Sequence, residues 1–418
     1  MNPLPDVLER AVPDAEAVAD RLLELLAAES QNPPGDTREA IARVEADLGD
    51  LGLDTERYAI DPTKPNVQAT LPGDSDRVLC YNGHLDTVSY DADDWSHDPL
   101  GERDGDRVYG RGATDMKGPL AAMLAAARAY VASDTTPPVT LRFAFVSDEE
   151  TGGAAGVGAL VDADRIDADA CVIGETTCSA GRHSVTVADR GSIWLTLEAT
   201  GEAAHGSRPM LGVNAIDQLY DAITTFRETF GSRQLEVTPA LDTIIEESVE
   251  YYAPTLGADA CRRLFAYPSI NLGTIEGGEG VNTVPATAQA RLDVRLTAGV
   301  DTREVLADVY DCVRSCSGVE VVDVSWSRGS FERLDSPLVE ATTAAAETVT
   351  DDRVYRRSAT GGGDAKKLRH AGIPTVEFAL GTDTVHAADE YTTLDALAGN
   401  TRVYTRLPYD YAAAVASQ

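Results

Sequence analysis

Between residues 14 and 29, Val18, Leu22, Leu25 and Leu26 recur at the spacing of one helical face. Ser30-Gln-Asn-Pro-Pro-Gly35 stops that pattern, so a helix is predicted over 14–29. A second helix, over about 37–50, ends before Gly52. The pattern then changes to apolar runs that predict strands near 65–71, 76–82, 139–147 and 170–173. The run Val-Thr-Leu-Arg-Phe-Ala-Phe-Val-Ser at 139–147 is mostly apolar, as a strand covered on both faces should be. An Ala/Leu-rich helix over 117–132 and a helix-like stretch over 153–161 lie between these strands. Alternating strands and helices point to an α/β layer structure with a central sheet flanked by helices.

The pattern changes near residue 190. Ile193, Leu195, Leu197 and Ala199 alternate with Trp194, Thr196 and Glu198, which predicts a strand with two unlike faces. A helix near 213–230, strands at 270–276 and 291–296, a helix at 303–316 and a strand at 319–326 follow. This β-α-β-β-α-β order resembles a ferredoxin-like α+β unit. Residues 237–266 carry no readable pattern. The expected organisation is a catalytic domain in two parts, 1–190 and 332–418, with a second domain, 191–331, inserted between them. The second part opens at Ser336-Pro337, an N-cap followed by a proline at the first helical position. Gly361-Gly-Gly-Asp364 is a turn into another helix, and a strand at 374–380 leads to His386.

Charge narrows the range of partners. The 418 residues carry a formal net charge of −34, and Lys64, Lys117, Lys366 and Lys367 are the only lysines. Such a surface repels phosphates, which disfavours nucleic acid and anionic membrane. The acids are spread along the whole chain, and a high-salt cytoplasm is the expected setting. Cys80, Cys171, Cys178, Cys261, Cys312 and Cys316 include no C-x-x-C pair, which suits a reducing compartment. The N-terminal residues lack the basic head and apolar run of a signal peptide, and no 18-residue apolar span occurs. A soluble, cytoplasmic protein is expected.

The candidate chemistry falls just after the apolar strands, where open α/β sheets place their ligands. His84 and Asp86 follow one strand, and Asp115 opens the helix over 117–132. Asp148-Glu149-Glu150, Gly174-Glu175 and His386-Ala-Ala-Asp-Glu390 supply the rest. Two imidazoles and three carboxylates, drawn from His84, Asp115, Glu150, Glu175 and His386, suit a pair of Zn²⁺ ions with Asp115 as the bridge. Asp86 is placed to orient His84. Glu149 and Glu150 diverge if the backbone is extended, so one can bind metal while the other faces substrate as general base.

In combination and order, these stretches resemble the di-zinc aminoacylase/carboxypeptidase G family of metallohydrolases. That family includes acetylornithine deacetylase, succinyl-diaminopimelate desuccinylase and several peptidases. The matching segments are Gly83-His-Leu-Asp-Thr-Val88, Gly110-Arg-Gly-Ala-Thr-Asp-Met-Lys-Gly118, Asp148-Glu-Glu-Thr-Gly-Gly153, Gly174-Glu175 and His386-Ala-Ala-Asp-Glu390. The resemblance implies His84, Asp115 and Glu175 on one zinc, and Asp115, Glu150 and His386 on the other, with Co²⁺ or Mn²⁺ as other metals that could occupy the site. It implies Glu149 as general base and a cis bond at Asp115–Met116. It also implies that the inserted domain is a lid and dimerisation domain. There, Ala204-His-Gly-Ser-Arg-Pro209 resembles a lid motif whose His205 stabilises an oxyanion, often in a neighbouring subunit. Asn282 and Arg295 are implied to contact the substrate's carboxylate, although Asp293 could simply pair with an arginine on its strand face. Gly362 and Gly363 fall in a loop resembling the family's substrate loop. The implied activity is removal of an N-acyl group from an amino acid by a homodimer, with a dipeptidase or carboxypeptidase as the same-fold alternative. A metal-binding homologue that has lost catalysis is disfavoured by the retention of Glu149. Desuccinylases of the family typically carry two arginines before the lid's first strand, where this chain has Asp189-Arg190.

Overall fold

A computed structural model describes residues 4–178 and 181–417. The chain divides into two compact units. One comprises the chain up to Val187, then Glu332–Arg357 and the residues from Gly363 onward. The other comprises Ala188–Phe331 and Ser358–Gly362, so Gly362 groups with the second unit.

The first unit is built on a mixed sheet. Its centre is the strand Val78–His84, paired in parallel with Thr140–Val146 on one side and Ala170–Ile173 on the other. Thr375–Glu377 adds in parallel to Ala170–Ile173. Asn66–Leu71 and Thr55–Tyr58 extend the opposite side in antiparallel fashion. Leu79, Cys80, Tyr81, Leu141, Phe143, Phe145, Cys171 and Val172 are fully buried, as the uniformly apolar runs require. The predicted helix over 117–132 is Lys117–Ala132, and almost every residue on it is buried. It packs against Ala15–Leu26 and against the C-terminal helix Leu394–Ala416.

That last helix contains Pro408, which has no N–H to donate to the carbonyl of Tyr404. The freed Tyr404 oxygen accepts a 2.6 Å bond from the Tyr81 hydroxyl, and Thr405 O accepts one of 2.7 Å from Tyr130. Strand and helix are therefore joined through carbonyls near the proline. This junction braces the strand that ends at His84.

Some expectations are corrected. The strand expected at 374–380 is only Thr375–Glu377, and the helix expected from 153 begins at Val157. The preceding residues form a 3-10 turn, Glu149–Thr151. Residues 237–266, unreadable in the sequence, contain the helices Asp242–Leu256 and Ala258–Ala266, joined at Gly257 with φ +85°. Their contact cluster is small (Val249, Cys261 and Phe265 with partly buried Ile245, Tyr252 and Leu264), and Pro254 inside the first helix blurs its signature. A three-stranded sheet of Glu102–Asp104, Arg107–Tyr109 and Tyr391–Thr393 was not anticipated. It matters because the register Tyr391↔Tyr109 carries the His386 segment to the Asp115 segment.

The second unit holds a four-stranded antiparallel sheet of Gly191–Thr200, Ser269–Gly277, Thr287–Leu296 and Val319–Ser327. Across the sheet they stand in the order Ser269–Gly277, Thr287–Leu296, Gly191–Thr200, Val319–Ser327, or second, third, first, fourth in the chain, which is the ferredoxin-like arrangement. The helices Ala215–Gly231 and Thr302–Arg314 cover the face carrying Ile193, Leu195, Leu197, Leu292 and Val294. Asp301 caps the latter helix through the amides of Arg303 and Glu304.

Tyr81→Phe should destabilise the protein by about 1–3 kcal/mol, because it leaves the buried Tyr404 carbonyl without a donor. Adding Pro408→Ala restores an N–H for that carbonyl and should recover part of the loss. Urea denaturation of the single and double variants checks this. An equal loss in both backgrounds would show that the carbonyl is not the seat of the effect.

Candidate metal centre and active site

The strand Val78–His84 delivers His84 at its C-terminal end, 2% exposed. Its Nδ1 donates to the backbone oxygen of Asp86 at 2.8 Å, which leaves Nε2 to face the site. That atom is 3.2 Å from Asp115 Oδ1 and 3.3 Å from Glu175 Oε1. The other Asp115 oxygen, Oδ2, is 3.0 Å from His386 Nε2, which is 3.3 Å from Glu150 Oε2. One buried carboxylate thus stands between two imidazoles, and each imidazole has a further glutamate. Asp115–Met116 is a cis bond, and His386 adopts φ +62°, uncommon for a residue with a side chain.

Asp86 was expected to orient His84 with its side chain, but the hydrogen bond between them runs to the Asp86 backbone oxygen. Its Oδ1 is 3.7 Å from His84 Nδ1, too far for a hydrogen bond. Instead, Oδ1 accepts the amide of Glu149 (3.1 Å), and Oδ2 accepts that of Glu150 (3.2 Å) and Nδ2 of Asn32 (2.9 Å). The carboxylate caps the turn Glu149–Thr151 and fixes where both glutamates start. Asp148, at φ +70°, enters that turn. Its carboxylate is held by Lys64, by Thr151 Oγ1 at 2.8 Å and by the Ala155 amide at 2.9 Å. Asn32 reaches this network because Gln31–Asn32 pairs with Thr87–Val88. No motif in the sequence flagged Asn32 or Lys64, and Arg111 lay in the segment Gly110–Gly118 without a role assigned to it.

Burial works against charge on Asp115, yet its bonds to His386 and His84 outweigh that and hold its carboxyl far below the usual range. Burial also opposes the charged form of His84, but Asp115 and Glu175 raise it well above an ordinary imidazole. Asp115 and Glu150 push His386 up to about 10. Glu175 is driven well above the carboxylate range by burial, then by the Asp115 charge. Burial, then Asp364, pushes Glu149 up to about 8. Acids therefore outnumber bases in this partly buried space, and the imidazoles offset part of their charge.

The donor set fits divalent cations. His84, Asp115 and Glu150 present ligand atoms within 4.8 Å of one another, as do His84, Glu149 and Glu175. A tetrahedral site with bonds of about 2.0–2.1 Å spaces its ligands about 3.3 Å apart. The imidazole–carboxylate separations here are 3.0 to 3.3 Å. Glu150 Oε1 is buried with no hydrogen-bond partner among the described residues, a costly state for a carboxylate oxygen unless a cation meets it.

Gly363 lies against this centre. A side chain there would start 2.9 Å from Glu149 Oε1. The glycine therefore leaves room for that carboxylate. Asp364 follows it, is 3% exposed, and pairs with Lys367 at 2.6 Å.

Besides Gly362, three predicted residues belong to the second unit. His205 is exposed on a short strand, with its Nδ1 on Ser207 Oγ at 2.8 Å. That strand pairs with Thr283–Val284, so Asn282 is its neighbour and accepts the Gly206 amide through its backbone oxygen at 2.6 Å. Arg295 is elsewhere, on the sheet, where it grips Asp293 at 2.7 and 3.0 Å beneath the Trp194 ring. Arg190 is 1% exposed and donates to Ser269 Oγ and to the Arg295 carbonyl, each at 2.9 Å.

Imidazoles and carboxylates gathered near the carboxyl ends of parallel strands are a donor set suited to metal-assisted hydrolysis. Residues 80–410 match Peptidase family M20/M25/M40, and the chain belongs to that family. It is 30% identical over 375 residues to the succinyl-diaminopimelate desuccinylase of Sphingopyxis alaskensis, covering 86% of this chain and 90% of that one. It is 31% identical over 299 residues to the acetylornithine deacetylase of Yersinia pseudotuberculosis, covering 70% and 68%. The fold is shared with the M20 family metallo-carboxypeptidase Sso-CP2 of Sulfolobus solfataricus, with a TM-score of 0.79 at 20% identity, covering 95% of this chain and 99% of that one. Among the described residues, no helix is long and apolar enough to cross a membrane.

Lys117 lies in the second motif, is 1% exposed, and donates to the Ala28 carbonyl at 2.8 Å. Burial pulls its ammonium down to about 8, against the raising effect of Glu390 and Asp86. Below that pH the amine is charged both folded and unfolded. Between about 8 and the ordinary value of 10.5, only the unfolded chain holds the proton, so stability rises with pH. Relative to Lys117→Met, the natural protein should gain up to about 3 kcal/mol across that window. Denaturation at several pH values checks this, and a constant gap would show that the folded state keeps the charge.

Proposed function

We propose that this chain is a two-metal amidohydrolase that removes an N-acyl group from an amino acid. The observation that carries the reading is Asp115, whose two oxygens face His84 and His386 separately. His84, Asp115 and Glu175 would hold one Zn²⁺, and Asp115, Glu150 and His386 the other. Co²⁺ and Mn²⁺ suit the same nitrogen and oxygen donors. When bound, such ions polarise a carbonyl and make a water acidic near neutral pH.

The chain's own residues then move the proton. Glu149 shares a turn with Glu150 but is left as the proton acceptor, its backbone pinned by Asp86. Its carboxylate takes a proton from the attacking water and returns it to the amine nitrogen as the C–N bond breaks. Gly363 gives it space, and with Gly362 forms the loop assigned to substrate. His205 donates to the developing oxyanion, and Asn282 and Arg295 take the substrate's carboxylate. Those roles, and a homodimer that would bring His205 to a neighbour's site, are supported by the lid-motif resemblance. The second unit as a closing lid rests on the same ground. The −34 net charge and scarcity of lysine support work in a salt-rich cytoplasm.

Likeness in sequence to desuccinylases and an acetylornithine deacetylase supports the deacylase reading. Asp189-Arg190 in place of paired arginines weighs against a succinyl substrate. The same centre also suits a dipeptidase or carboxypeptidase.

Glu149→Gln should lower kcat by about 10²–10⁴-fold with metal content and KM little changed. Turnover and metal analysis together check this, and a variant with natural turnover would remove Glu149 from the proton path. A panel of N-acetylornithine, N-succinyl-diaminopimelate, N-acetyl amino acids and dipeptides, assayed in molar KCl with Zn²⁺ or Co²⁺, tests the substrate class. The expected outcome is turnover confined to acylated amino acids. Turnover of dipeptides alone would assign the peptidase branch.

A further inference from the structure

One buried ion pair is not used by the chemistry above. Arg111 and Glu390 are 5% and 0% exposed and meet at 2.7 Å, from Nη1 to Oε2. An ion pair removed from water is weak evidence for stability, since desolvation offsets its attraction. The purpose of this one is better read from what else the two side chains hold.

Glu390 Oε1 accepts the amides of Thr114 at 2.9 Å and Asp115 at 3.0 Å. Arg111 Nη2 donates to the backbone oxygen of His386 at 3.3 Å. The pair therefore grips the backbone of Asp115 from one side and of His386 from the other. The surroundings fix the pair in turn. The Glu390 carbonyl accepts the Gly110 amide at 2.9 Å, and Tyr391 is in register with Tyr109. The Trp95 ring lies 5.2 Å from the Arg111 guanidinium. Asp389 holds the Trp95 segment by accepting the amides of Ser96 and His97 at 2.8 and 3.1 Å. His386 needs such support because its φ of +62° is unfavourable for a residue with a Cβ.

We propose that Arg111 and Glu390 are positioning residues that lock Asp115 and His386 at one separation, and so set the affinity and geometry of the cation between them. The inference rests on the reading of Asp115 and His386 as metal ligands. Arginine is required because one side chain must reach both a carboxylate and a carbonyl, which a lysine's point charge does less well.

The test titrates metal-free protein with Co²⁺ in molar KCl, following binding by equilibrium dialysis and geometry by visible absorption. Glu390→Gln keeps an acceptor for the two amides and removes the charge that anchors Arg111. Arg111→Lys keeps the charge and loses the forked reach. Both should bind Co²⁺ about 10–100-fold more weakly and show an altered visible spectrum, with unchanged far-ultraviolet circular dichroism before metal is added. Should Glu390→Gln fail to fold, Arg111→Lys decides alone. Folded variants with the natural affinity and spectrum would overturn the proposal, whatever their melting temperature. If the unaltered protein binds two Co²⁺ and the variants match it, only this inference fails. If the unaltered protein binds none, the metal-centre reading fails and takes this one with it.

Discussion

The structure depends on a single shared carboxylate. Asp115 is 7% exposed and lies between the imidazoles of His84 and His386, with Glu150 and Glu175 beyond them. So much negative charge cannot be buried without compensation. The carboxylates around them raise both imidazoles above their ordinary range. Divalent cations would supply that compensation, and the separations between donors already match that use.

The fold meets this constraint by bringing ends together. His84 ends one strand and Glu175 follows its parallel neighbour, so the sheet sets their spacing. Glu149 and Glu150 follow the neighbouring strand on the other side, through a turn capped by the Asp86 carboxylate. A strand end has free backbone amides and can bend sharply, and Asp148 does so with a left-handed residue held by four partners. The rigid parts are the apolar strands and the buried Ala-rich helix behind them. The chemistry sits on short segments with little freedom, which is the condition for holding ligands to a fraction of an ångström.

The second unit follows a different design. One sheet face is covered by two helices and the other carries Trp194, Asp293 and Arg295. Its proposed substrate contacts divide between an exposed histidine loop and this sheet face. The Arg295–Asp293 pair shows that an arginine on a polar sheet face finds a local partner first. Any substrate carboxylate would have to share or displace it.

Much of this was legible in the sequence, for physical reasons. Short apolar runs rich in β-branched and aromatic residues favour buried strands over helices, so the central sheet was readable. The helix over Lys117–Ala132 was readable because its sixteen residues are Ala- and Leu-rich and carry only two charges, Lys117 and Arg128. The candidate ligands were readable as residue types near strand ends, and their order in the chain carried the family resemblance. The sequence could not give what depends on contacts between distant segments. Asn32 supports Asp86 only because two two-residue strands pair. Asp86 acts through its backbone on His84 and through its carboxylate on the glutamates, a division that no spacing encodes. Arg111 and Glu390 lie 279 positions apart, and only the sheet of Tyr391–Thr393 with Arg107–Tyr109 makes them neighbours. Local periodicity fixes which faces are buried. Which charges meet once they are buried is decided by the closure of the chain, because an ion pair has no periodic signature.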